Sequence, residues 1–269
     1  MAKRRALGMA AAAALIGLAV LGAAAWMAHN AADALPDPDT ATLDELHGVY
    51  GPKLYSQGDE ETLIRAFFRD RTGGFFLDVG ASHYEKDSTT YYLEKHLGWR
   101  GMAIDALEEF RADYERFRPQ SKFFAFFVTN EAGVPKDFHV YTRDTRISSG
   151  SLEYLRGLPR IKDRYIKTIQ VPTMSLDRLL AAEKVTKVDF VSLDIEGSEP
   201  EALEAFDIDR YRPELLCVEM QTFTRDRLLN FFTSHGYVPI EHYRQADPVN
   251  MYFRRRDPDL SAAHPSPGS

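Results

Sequence analysis

Four acids stand at or beside places where a short apolar run gives way to a turn. Asp78 precedes Val79-Gly80-Ala81 after Phe75-Phe76-Leu77, and Asp105 follows Met102-Ala103-Ile104. Asp194 follows Val188-Asp189-Phe190-Val191-Ser192-Leu193, and Glu219 lies near the end of Leu215 to Met220. Apolar runs of this length bounded by turn residues read as buried strands. A carboxylate ending the second such strand can accept both hydroxyls of a ribose. Gly80-Ala81 lets the backbone turn close to a ligand, with no bulky side chain in the way. Glu196, two residues beyond Asp194, and His83, in the loop after Gly80, add groups able to take a proton. Asp194, Glu196 and His83 are therefore the candidate general bases. Two of them also have plainer readings, His83 as a polar loop residue and Glu196 as an acid at the positive end of the following helix, where Glu199 reads the same way. Glu219 reads equally as an acceptor for buried backbone donors. His83, Glu85 and Asp87 alternate as metal ligands can, but a solvated loop accounts for them, and no metal site is expected.

The elements that must position these residues alternate between strand and helix. Phe75–Val79 predicts a strand, Ser88–Leu97 a helix capped by Asp87 or Ser88 and closed by Gly98, and Met102–Asp105 a second strand. Leu107, Phe110, Tyr114 and Phe117 recur at helical spacing until Pro119 stops them. Lys122–Val128 predicts a third strand. Lys136–Tyr141 and Lys167–Val171 predict strands flanking a mobile Ser148-Ser149-Gly150-Ser151 segment. Ser175 caps a helix, and Val188–Leu193 forms a central strand. Ser198 and Glu201 form a capping box that opens a helix through Phe206. Leu215–Met220, a helix Thr224–His235 and an antiparallel pair, Tyr237–Ile240 with Asn250–Phe253, complete the domain. Such alternation implies an α/β fold, a mostly parallel sheet with helices on both faces and an antiparallel C-terminal strand pair. Ligands of these sheets bind beyond the carboxyl ends of the strands, where the acids lie.

The 269 residues include 40 acids and 33 bases, a formal charge of −7 with no long run of either sign, which argues against a nucleic-acid partner. One cysteine, Cys217 in an apolar run, excludes an internal disulfide and a cysteine-built zinc site and reads as a core thiol. Lys3-Arg4-Arg5 precedes an uncharged run from Ala6 to Ala28, long enough to span a bilayer. The basic flank places the remainder outside a membrane. An uncleaved single-pass anchor and a cleaved signal peptide both fit. The chain thus divides into an anchor or signal segment (1–28), a linker (29–49), an α/β domain (50–256) and a disordered tail (257–269).

Longer motifs carry a resemblance. Ser56-Gln57-Gly58-Asp59-Glu60, Gly74 to Ala81, Ser88 to Glu94, Leu97-Gly98-Trp99-Arg100-Gly101, Arg118-Pro119, Ser148-Ser149, Thr173 to Asp177 and Val188 to Glu199 resemble successive motifs of the FkbM family of S-adenosylmethionine-dependent methyltransferases, in order, from about Ser56 to Phe253. The resemblance implies a Rossmann-like class I methyltransferase fold and O-methylation of a hydroxyl, on a small-molecule or glycan acceptor. It puts Asp78, Gly80 and Ala81 on the cofactor loop and Asp105 at the ribose. Asp194 and Glu196 then fall on the acidic motif facing sulfonium and acceptor. Two positions depart from the family pattern. Tyr84 stands where a further glycine is usual, next to the methionine end of the cofactor, and Asp105-Ala106 replaces Glu-Pro. Tyr84 and Tyr91 also offer aromatic faces to the cationic sulfur. An outside domain is at odds with a donor made inside cells, which keeps open a second reading, an anchored, catalytically degenerate domain binding a glycan or protein partner. Neither a nucleophile elbow nor a closely spaced histidine pair supports a hydrolase.

Overall fold

The structure, a computed structural model, describes residues 35–256. In chain order it comprises α1 (Leu43–Tyr50), α2 (Glu60–Phe68), β1 (Phe75–Val79), α3 (Tyr91–Leu97), β2 (Arg100–Asp105), α4 (Arg111–Phe117) and β3 (Ser121–Ala125). There follow β4 (Phe127–Val128), β5 (Lys136–Tyr141), α5 (Leu152–Gly157), β6 (Ile166–Val171), β7 (Thr173–Met174) and α6 (Leu176–Ala182). The chain then forms β8 (Phe190–Leu193), α7 (Glu199–Leu203), α8 (Ile208–Tyr211), β9 (Leu215–Glu219), α9 (Arg225–Ser234), β10 (Tyr237–Pro239) and β11 (Asn250–Arg255).

Seven strands make one sheet in the order β10-β11-β9-β8-β1-β2-β3. The pairs β3–β2, β2–β1, β1–β8 and β8–β9 are parallel, and β11 runs antiparallel to both β9 and β10. The chain leaves β1 toward β2 on one side and returns at β8 on the other. A crevice therefore opens beyond the carboxyl ends of β1 and β8, the usual ligand position in such sheets. This is the expected Rossmann-like class I methyltransferase fold. β5 and β6 form a separate hairpin, and β4 pairs with β7. Together with α5 they belong to the segment inserted between β3 and α6.

The period of two along each strand decides which acids can meet. In β1, Leu77 and Val79 face α6 to α9, whereas Phe76 faces the core built on α1 to α3. Asp78 shares the Phe76 face. In β8, Phe190 lies on that same face, and in β9 so do Leu215 and Cys217, the predicted core thiol, which is buried. The registers Val79↔Leu193 and Leu193↔Val218, carried one residue further, set Asp194 beside Gly80 and Glu219 beside Asp194.

Behind β1 lies a buried polar hub. Arg118 is fully buried; its Nε donates to Glu94 at 2.5 Å, Nη1 to the Tyr84 carbonyl at 2.8 Å, and Nη2 to Thr90 Oγ1 at 3.1 Å. Thr90 Oγ1 in turn donates to Asp78 Oδ2 at 2.6 Å. Glu94 also accepts from the Ser121 hydroxyl and the Gln120 N–H. The hub clamps the loop 80–90 between β1 and α4.

Several expectations are corrected. The helix predicted from Ser88 begins at Tyr91, because Ser88 and Thr90 direct their hydroxyls to Arg118 and Asp78 instead of capping. The strand predicted over Lys122–Val128 breaks at Phe126, and Phe127–Val128 turns away to pair with β7. The fold begins before residue 50. Thr42 and Glu45 form a capping box, and Leu46 and Tyr50 of α1 are buried in the core. Ser198 makes no cap bond, and the helix after it ends at Leu203. Among the described residues no helix is long and apolar enough to cross a membrane, which corrects the expectation of a membrane-anchored localisation. The run 6–28 on which it rested, and the tail 257–269, lie outside the described residues.

Removing one partner of a buried ion pair strands the other charge, at a cost of about 3–5 kcal/mol. Arg118→Ala should therefore lower the unfolding free energy by about that amount in urea titrations. A loss under about 1 kcal/mol would show that the hub does not hold the loop.

Candidate active site

Gly80 occupies the crevice with φ +90°, and a β-carbon there would lie 1.6 Å from the Asp194 carbonyl oxygen. Only glycine permits this approach, both for the positive φ and for the missing side chain. Asp105, at the end of β2, borders the same crevice. Its Oδ2 accepts from Ser82 N–H at 2.9 Å and its Oδ1 from Leu107 N–H at 2.8 Å. Burial outweighs these bonds and raises its pKa to about 6. Each oxygen retains a second lone pair for a ligand hydroxyl.

Across Gly80 lies the acid cluster. Carboxylate oxygens of Asp194, Glu196 and Glu219 fall within 4.8 Å of one another. Asp194 is reached by solvent from the crevice but walled in elsewhere. That enclosure, with the Glu219 carboxylate beside it, holds its pKa well above the usual value. Burial, then the charge of Asp194, raises Glu196 to about 8. Burial, then the charges of Glu196 and Glu199, raises Glu219 to about 8. Glu199 is fully buried; its Oε1 accepts from the N–H groups of Ile195 and Gly197, both at 3.1 Å, and burial raises it to about 7. It thus organises the loop before α7 as well as starting the helix. Glu196 has φ +55°, unusual outside glycine. The bonds from Glu199, and one from Ser149 Oγ to the Glu196 carbonyl at 2.9 Å, hold it there.

Two further residues complete the cluster. The Tyr154 hydroxyl of α5 donates to Glu196 Oε2. Gln221 Nε2 donates to Tyr154 Oη at 3.0 Å and to Glu219 Oε1 at 2.6 Å. Sequence reasoning missed both. Gln221 sits two residues past Glu219, a detectable signal, but Tyr154 arrives from an insertion whose docking no local pattern reveals. Ser148 to Ser151 are likewise pinned, contrary to the mobile loop expected. Ser149 is fully buried and exchanges backbone bonds with His139, and Ser148 Oγ accepts from Tyr141 N–H.

The remaining candidates stand back from the crevice. Asp78 is buried in the Arg118 hub, where enclosure raises its pKa against the pull of Thr90 and Arg118. Ala81 is buried, its carbonyl accepting from Tyr114 Oη at 3.2 Å. Tyr84 stacks on Phe117, ring centroids 4.8 Å apart, and so leaves the crevice clear. His83 Nδ1 accepts from the N–H groups of Glu85 and Lys86 at 3.1 and 3.0 Å. With that lone pair engaged, the neutral ring carries its proton on Nε2 and has no acceptor left for a substrate proton. His83 is therefore corrected from candidate base to loop former.

The crevice by Gly80, Asp105 and Asp194 encloses about 50 Å³, walled in part by Thr145, Arg146 and Ser148. Arg146 donates to Asp87 at 2.6 Å and to Asp144 at 2.7 Å. A nucleoside-sized ligand needs several hundred Å³, on the order of 300 or more, so this wall must swing out to admit one. On the far side of Glu196 a second groove, about 280 Å³, is lined by Phe127, Lys136, Asp137, Tyr154 and Phe223. A larger cleft, about 600 Å³, lies at the opposite, amino edge of the sheet beside Gly74, Arg100 and Lys122. It holds none of the strand-end acids.

The profile of the methyltransferase FkbM domain matches residues 78–239, which contain the crevice, the acid cluster and the groove. The chain belongs to the FkbM methyltransferase family. Methyl transfer is therefore the class of chemistry to which this site belongs. A search of curated proteins finds no match. Among solved structures, the chain is similar to a precorrin-6Y C5,15-methyltransferase from Geobacter metallireducens, at 13% identity and TM-score 0.39, over 70% of this chain and 75% of that one. The methyltransferase domain of METTL16 aligns at 10% identity and TM-score 0.41, over 78% and 75% of the two chains. A precorrin-8W decarboxylase from Methanobacterium thermoautotrophicum aligns at 12% identity and TM-score 0.38, over 81% and 96%.

Raised carboxyl pKa values have a consequence for stability. Folded Glu196 and Glu219 hold protons up to about pH 8, whereas the unfolded chain releases them near 4.5. Their contribution is thus fully present below that lower value and is lost as pH rises through the higher one. In metal-free buffer, urea unfolding at about pH 5, 7 and 9 should show falling stability, and Glu219→Gln should flatten the slope. A slope unchanged by that substitution contradicts the shifts.

Proposed function

We propose that the protein is an S-adenosylmethionine-dependent O-methyltransferase acting on a hydroxyl of a small-molecule or glycan acceptor. The observation that carries the reading is the placement of Asp194 and Glu196 between the Gly80–Asp105 crevice and the aromatic groove. Once the wall of Thr145, Arg146 and Ser148 opens, the crevice suits a nucleoside: Asp105 offers free lone pairs to ribose hydroxyls, Gly80 gives close access, and Tyr84 is turned away. S-adenosylmethionine supplies a methyl group on a sulfonium, the electrophile for a hydroxyl oxygen.

The acceptor's place in this reading is the groove, where Tyr154 and the 63%-exposed ring of Phe223 offer apolar faces. Aromatic faces beside carboxylates suit a polyhydroxylated ring, with its apolar and hydrogen-bonding surfaces. A hydroxyl is a weak nucleophile and needs its proton removed as it attacks. Asp194 lines only the crevice. Glu196, bordering both cavities, takes the proton or passes it outward, and Tyr154 fixes its orientation. Transfer in line requires positioning more than covalent help, and the two cavities meeting at these acids provide it.

The first test is calorimetry with S-adenosylhomocysteine. Saturable binding is expected, weakened by Asp105→Ala; no binding would favour a non-enzymatic glycan- or protein-binding module. With a panel of saccharides as acceptors, Asp194→Asn should slow product formation by about 10²–10⁴-fold while leaving that binding intact. Where Glu196 takes the proton it must be ionised, so the rate should climb with pH up to about 8, and Glu196→Gln should remove that limb. A flat wild-type profile would take Glu196 out of the proton path.

A further inference from the structure

Asp194 and Glu219 are side by side because adjacent parallel strands end in register, with their side chains on one face of the sheet. Neighbouring strands stand about 4.8 Å apart. Two ionised carboxylates at that spacing repel, so the pair either keeps a proton between its oxygens or holds a cation there. Glu196 closes the third side, its oxygen also within 4.8 Å of the other two. No lysine or arginine pairs with any of the three among the described residues; the partners present are the Tyr154 hydroxyl and the Gln221 amide. Those two hold Glu196 Oε2 and Glu219 Oε1, one oxygen of each acid.

A second observation is independent of the clustering. Glu219 is only 8% exposed, yet its Oε2 is enclosed by protein without a hydrogen-bond partner. Leaving a buried carboxylate oxygen unsatisfied is costly, so such atoms call for an explanation. With both acids ionised, Glu219 keeps one partner, the Gln221 amide on Oε1, and the strand register turns its carboxyl toward Asp194, with which it shares a proton when one of the pair is protonated.

We propose that Asp194, Glu196 and Glu219 bind one hard divalent cation of the Mg²⁺ type. The donors are all oxygen, which selects Mg²⁺, Mn²⁺ or Ca²⁺ over zinc or copper. The three oxygens lie within 4.8 Å of one another, the span of opposite ligands on Ca²⁺ (about 4.8 Å), and side-chain rotation closes the remainder for the smaller Mg²⁺ (about 4.2 Å). Tyr154 and Gln221 play the part of the outer hydrogen-bonding groups that orient metal ligands. The position also has a use. Glu196 lines both crevice and groove and Asp194 the crevice, so an acceptor hydroxyl reaching an ion held there would ionise more readily, its proton passing to a neighbouring carboxylate or to water. That use rests on the methyl-transfer reading; the occupancy does not.

The test is titration of the full-length, chelator-treated protein with Mn²⁺, following the free-ion electron paramagnetic resonance signal. The expected result is one saturable site per chain, displaced by Mg²⁺, with proton release on binding because the acids must ionise. Glu219→Gln and Asp194→Asn should each weaken it by about tenfold or more, with circular dichroism unchanged. Absence of saturable binding by the wild type overturns the proposal, as does affinity unchanged in both variants. S-adenosylhomocysteine binding on the same samples reports the donor crevice separately. Donor binding without Mn²⁺ binding sinks the cation site alone. Mn²⁺ binding without donor binding supports it and counts against the methyl-transfer reading.

Discussion

The site depends on the closeness of two backbone segments, the turn after β1 and the turn after β8. With a β-carbon at residue 80 only 1.6 Å from the Asp194 carbonyl, the two turns could not share the crevice. Everything chemical follows from that contact. It fixes Asp194 at the mouth of the crevice, and through the β8–β9 register it fixes Glu219 beside Asp194. The loop carrying Glu196 is set by the same turn. Glu196 is held in a left-handed conformation by bonds from Glu199 and Ser149, backbone strain of the kind that gathers at functional sites.

The electrostatics divide the acids by role. Asp78 and Glu94 face the guanidinium of Arg118 or the hydroxyls around it, and they hold the loop. Asp105 is pinned by two backbone N–H groups, and it borders the crevice. The trio across from it has no such compensation and therefore keeps its protons to unusually high pH. Groups left in this state are costly to fold around, which is a reason to look for chemistry at them.

Much of the sheet was legible in the sequence. Phe75–Val79 and Leu215–Glu219 are short apolar runs with no room for another reading, and the acids at their ends mark the ligand edge. What failed were the places where tertiary bonds override local signals. Ser88 looks like a helix cap, but Arg118, thirty residues away, claims its hydroxyl. Ser148 to Ser151 look mobile because small polar residues usually are, yet Ser149 is drawn into the core by a carbonyl of another loop. Tyr154 entered the site from a helix with no marker beyond its own type. His83 carried the right chemistry in the wrong tautomer, a matter decided by two backbone N–H groups that spacing does not reveal.

The antiparallel insertion of β11 has an effect on how the chain acquires its site. β9 is flanked on one side by β8 and on the other by a strand ending at Arg255. During synthesis, Glu219 therefore belongs to a raw sheet edge until nearly forty more residues have been made. An exposed edge is a template for wrong pairing, and contacts spanning so much sequence form late. The clustered acids at the ends of β8 and β9 are thus among the last parts of the sheet to be enclosed, so an incomplete chain has much of the scaffold but not this cluster.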